Sequence, residues 1–116
     1  MLKYLLIAFF SFSLSATSQC LQKPTGNKKV AKNYLTFGQY RCALQELLII
    51  YKDKSSNVKL NQEIVEAYLG VPGEGAQAIP HAEYVISKEK YDGVDLYRLA
   101  SAYHQGAQYE KSIATA

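Results

Sequence analysis

The tripeptide His81-Ala82-Glu83 has the H-x-E form in which zinc deaminases pair a metal-binding imidazole with a proton-moving carboxylate. That chemistry also needs a P-C-x-x-C segment for the remaining ligands, and the chain contains none. His81 and His104 therefore read as surface or interhelix side chains. Glu63 and Glu66 lie three residues apart, which on a helix places both carboxylates on one face, read here as solvated. The glycine-rich run GVPGEG, from Gly70 to Gly75, could cradle a phosphate if a strand preceded it and a lysine opened the next helix. Instead NQEIVEAYL precedes it, a helical pattern, and Gln77 and Ala78 stand where that lysine would help. The run reads as a turn between helices, with Pro80 in the first turns of the second. No G-x-S-x-G is present, and Cys42 has no histidine near it in sequence. No catalytic, cofactor-binding or metal-binding residue is assigned, and no cofactor is expected.

The two cysteines carry a different chemistry. Residues 1–18 read as a signal peptide: one cation, Lys3, then an apolar run from Tyr4 to Leu14, then Ala16 and Ser18 at −3 and −1 of a cut before Gln19. The run is too short to cross a bilayer, which takes about 20 apolar residues. Export would carry Cys20 and Cys42 into a compartment that permits a disulfide between them; two unpaired thiols are the other reading, and the sequence leaves both open. Acylation of Cys20 as a lipoprotein is a rival, although Thr17 and Gln19 stand where that signal wants Leu and a small residue.

The elements that hold these residues emerge from a repeat. Tyr34, Tyr68 and Tyr103 recur at intervals of 34 and 35 residues, each three positions after a small or compact residue (Ala31, Val65, Ala100). Ala43, Ala78 and Ser112 keep a second register at 35 and 34. Apolar residues at three- and four-residue spacing, such as Val30, Tyr34 and Leu35, then Ala43, Leu47, Leu48 and Tyr51, predict amphipathic helices. Asn27, Asn57 and Asp92 occupy the expected N-cap positions, and KDKSSN and KEKYDG are polar turns. No segment alternates well enough to predict a strand. A net charge of +3 with no basic stripe gives no reason to expect nucleic acid as a partner.

This spacing and residue order resemble the tetratricopeptide repeat (TPR), most fully at Ala31, Tyr34, Gly38, Tyr40, Ala43 and Leu47. The resemblance implies an all-α fold of antiparallel helix pairs stacked as a short TPR-type superhelix of about two and a half repeats. Residues 19–26 would form an N-terminal extension and residues 27–116 the repeat domain, its third repeat breaking off inside its second helix. It also implies a groove for partner proteins or peptides at Lys28, Lys32 and Leu35, then Gln62, Glu66 and Leu69, then Tyr97, Ser101 and His104. A carboxylate clamp of the kind some such domains carry is not expected, because Lys32, Glu63 and Val94 occupy positions that need asparagine or lysine.

The segments AYLGVPGEGAQAIPHAEYVI and YDGVDLYRLASAYHQGAQYEKSI further resemble the N-terminal TPR region of exported OmpA-family proteins. That resemblance implies a non-enzymatic interaction module of the bacterial envelope, the N-terminal part of a longer protein, at the periplasm or the periplasmic face of the outer membrane. Its partners would be other envelope proteins, and membrane association would be indirect or through a further part of the chain. The alternative is a periplasmic lipoprotein or assembly factor of a secretion or gliding apparatus.

Overall fold

The computed structural model describes residues 20–106, so the signal-peptide reading, Ser112 and the end of the third repeat fall outside it. Among the described residues the chain is all-helical and contains no strand. Five helices follow one another in the described residues: α1 (Lys28–Thr36), α2 (Tyr40–Tyr51), α3 (Val58–Gly70), α4 (Ile79–Ile86) and α5 (Gly93–Gln105), with a 3₁₀ turn (Gly75–Ala78) leading into α4.

Local sequence chemistry sets the helix ends. The side chains of Asn27 and Asn57 accept hydrogen bonds from the Val30 and Leu60 amides, and so satisfy donors that no helical carbonyl can reach. At α5 the cap is reciprocal: Asp92 accepts from the Asp95 amide while the Asp95 carboxylate accepts from the Asp92 amide. α3 stops where Pro72 follows, because the residue before a proline is pushed out of the helical region; Val71 is accordingly extended, at φ −97° and ψ 118°. Pro80 sits in the first turn of α4, where its missing N–H costs nothing.

Each helix packs on the one before it in the chain, and α3 also touches α5. The core follows the sequence register: Tyr34, Tyr68 and Tyr103 are buried, as are Ala31, Val65 and Ala100, and Ala43 and Ala78 are fully enclosed. Equivalent contacts recur with their sizes exchanged. The Tyr40 ring, at the start of α2, lies against Gly70 at the end of α3, where an added Cβ would come within 2.2 Å of it. Thirty-five residues on, Gly75 takes the place of Tyr40 and Gln105 that of Gly70, and the Gln105 side chain now fills the space over the glycine. A large residue facing a glycine in one layer becomes a glycine facing a large residue in the next, at the same two positions. Both arrangements keep the interior filled.

Candidate functional site

Two regions gather polar side chains. The first lies between α1 and α3. Lys32, Leu35 and Thr36 from α1, Lys59, Gln62, Glu63 and Glu66 from α3, and Arg98 from α5 line a hollow of about 330 Å³. Three of the groove residues expected from the sequence, Lys32, Gln62 and Glu66, therefore meet, together with Leu35. Lys28 lines an adjoining hollow that shares Lys59 and Glu63 with the first. Tyr97, Ser101, His104 and Leu69 do not line it. The reason is visible in the polar contacts. Gln62 donates to both Asp95 carboxylate oxygens (3.1 and 3.3 Å), and Arg98 donates to Glu66 at 3.4 Å. These bonds lace α3 to α5 and leave Tyr97, 72% exposed, beyond the laced seam. Among the described residues no such bonds join α1 to α3, and the hollow opens between them.

The expectation that Glu63 and Glu66 form a solvated face needs correction, because both are half-buried in this hollow. Burial raises the Glu63 carboxyl above its usual range, and the nearby Lys59, Lys28 and Lys32 pull against that rise. Lys59, Glu63 and Arg98 are site residues that the repeat register alone did not flag. Lys59 and Glu63 could have been found together as an i, i+4 pair of opposite charge.

The second region anchors the N-terminal extension. Glu46, on the inner face of α2 and only 1% exposed, accepts hydrogen bonds through Oε1 from the amides of Thr25, Gly26 and Asn27 (3.1, 2.8 and 2.9 Å). Its Oε2 is buried with no hydrogen-bond partner. Upstream, the Leu21 amide donates to the Tyr34 hydroxyl, and a disulfide joins Cys20 to Cys42. Gly26 has φ +80°, and a Cβ there would press to 2.6 Å from Ile49, so the chain can enter this corner only as glycine. Residues 20–27 thus form a strap across α1 and α2.

No protein-family model, curated protein or solved structure matches the chain.

The H-x-E residues are both engaged elsewhere. Asn61, buried, donates through Nδ2 to the carbonyls of Ser55 and Asn57, which turns its Oδ1 toward His81 Nδ1 at 2.9 Å. His81 Nδ1 therefore carries the proton and donates it. The ring is edge-on to Tyr51, with centroids 4.9 Å apart, and tilted against Tyr68; burial lowers its pKa. Glu83 accepts from the Tyr103 hydroxyl, whose pKa is pushed up to about 12 by burial and by this bond to Glu83. Among the described residues no three His, Cys, Asp or Glu side chains are grouped to hold a metal ion, and no helix is long and apolar enough to cross a membrane.

Proposed function

We propose that the chain is a non-enzymatic interaction module of the bacterial envelope, which uses the hollow between α1 and α3 to receive a segment of another envelope protein. The observation that carries this reading is the meeting of Lys32 and Glu66, 34 residues apart in sequence, with Leu35 and Gln62 around one open hollow. The size-exchanged contacts, Tyr40 on Gly70 and Gly75 under Gln105, support a stacked, TPR-type superhelix, since repeated units present equivalent positions to one another. The wider proposal is that this is the N-terminal TPR part of a longer OmpA-family, outer-membrane-associated protein.

The Cys20–Cys42 bridge supports export, because structural disulfides persist in oxidising compartments such as the periplasm. It also bears on the lipoprotein alternative, whose acyl anchor would need the Cys20 sulfur that the bridge occupies. Mass spectrometry of the mature N-terminus separates the two: a chain beginning at Gln19 fits secretion, an acylated Cys20 fits the lipoprotein. The interaction reading is tested by pull-down from an envelope extract, comparing the mature chain with its Lys32→Glu/Glu66→Lys variant. A partner held by the first and lost by the second is expected. Equal retention of every captured protein would remove the hollow from the binding surface.

A further inference from the structure

The second hollow, which adjoins the first at Lys59 and Glu63, is smaller, about 190 Å³, and differently built. Its apolar wall is Leu47, Ile50 and Leu60, two of them core side chains, and its polar wall carries Lys28, Lys54 and Lys59 against the single carboxylate of Glu63. Lys28, Lys54 and Lys59, with Lys32 in the neighbouring hollow, make no ion pair among the described residues. Among the described residues the only carboxylate of the larger hollow besides Glu63 is Glu66, already bonded to Arg98. The cations thus outnumber the carboxylates available to them, around an enclosure sized for one aliphatic side chain.

We infer that the α1/α3 hollow and its apolar annex bind an acidic peptide segment with a single aliphatic anchor: the anchor enters the annex against Leu47, Ile50 and Leu60, and flanking carboxylates face Lys28, Lys54 and Lys59. This inference rests on the interaction reading above and gives its ligand a chemical class. The apolar wall supplies affinity by taking the anchor out of water. The lysines select the sign of the flanking charge and draw the segment in over about a Debye length, roughly 8 Å at physiological salt. Glu63 disfavours a carboxylate placed directly over the annex floor, so the acidic residues belong on either side of the anchor and not at it.

The test uses blocked, fluorescein-labelled peptides in a Gly-Ser frame, with fluorescence anisotropy on the mature chain. One probe carries Asp-Glu-Leu-Glu-Asp, a second replaces its Leu by Ala, and a third replaces all four acids by Lys. Binding of the first is expected to weaken about tenfold on loss of the leucine side chain and to weaken with added salt, and the lysine probe should not bind. The exposed substitutions Lys28→Glu and Lys54→Glu, with melting temperatures checked against wild type, should each weaken the first probe several-fold. Equal binding of the acidic and lysine probes, or of the Leu and Ala probes, overturns the assignment. So does unchanged affinity in both lysine variants. If no acidic probe binds while partner capture still depends on Lys32 and Glu66, the ligand class is wrong and the groove stands. If both fail, the groove itself falls.

Discussion

Glu46 and His81 occupy equivalent places, 35 residues apart on the second helix of successive pairs; Glu46 is buried there and His81 half-buried. Glu46 is the acceptor for three strap amides. Replacing it with alanine removes their acceptor; because these amides are only part-buried, the low end of about 1–3 kcal/mol for each unsatisfied group applies, and a total loss of about 3 kcal/mol is expected. Glu46→Gln keeps one acceptor oxygen and should lose much less; denaturant melts of the two variants check the difference. His81 sets a pH dependence. Its folded pKa lies below the ordinary 6.5, so above that value both states are neutral and the ring contributes nothing. As pH falls below 6.5 the unfolded chain takes the proton first, and stability is lost until the folded pKa is passed. Glu63 has the opposite sign: its raised folded pKa gives a contribution present below 4.5 and lost as pH rises through the folded value. Because Glu63 is common to both proteins, the melting temperature of wild type should fall relative to that of His81→Gln between pH 7 and 5. Glu46 went unread in the sequence, although its place in LQELL, one turn from Ala43 on the apolar side, could have marked it. Its partners could not have been found, because a strap amide carries no mark in sequence.

At the scale of the helices, sequence and structure agree where the determinants are local. The three N-caps and the polar turns were readable because a cap, a proline or a turn acts on neighbours within about four residues. The face each helix buries followed from the spacing of Ala31 and Tyr34, Val65 and Tyr68, Ala100 and Tyr103. Which pairs of helices seal and which stay open did not follow. That depends on Gln62 reaching Asp95 and Glu66 reaching Arg98, contacts more than 30 residues apart in sequence. For that reason the expected groove continued onto Tyr97, Ser101 and His104, whereas the hollow ends at Arg98. The exchanged contacts give this scale its prediction. Gly70→Ala drives a methyl group into the Tyr40 ring and should cost about 1–3 kcal/mol by overpacking. Adding Tyr40→Ala removes the obstacle, so the double variant should lose less than the sum of the single losses. Thermal melts of the two single variants and the double variant measure that coupling.

For the molecule as a whole, a small helical stack has little interior to spare, and the covalent closure matters in proportion. The Cys20–Cys42 bridge spans 22 residues, and in the chain-entropy model a loop of that size restricts the unfolded state by about 3 kcal/mol. Cys42→Ser, or reduction with a thiol, should lower stability by about that amount, measured by denaturant unfolding at fixed pH. The bridge also determines how tension would pass through the protein. A pull on the chain upstream of Cys20 crosses the sulfurs straight into α2 at Cys42, so residues 21–41, with all of α1 and its lysines, sit on a slack side-branch. Under load with the bridge intact, the α1 side of the hollow would be spared direct stretching while the helices after Cys42 bear the force. Reduction would put that branch back in series and add roughly 70 Å of extensible chain at about 3.3–3.6 Å per residue.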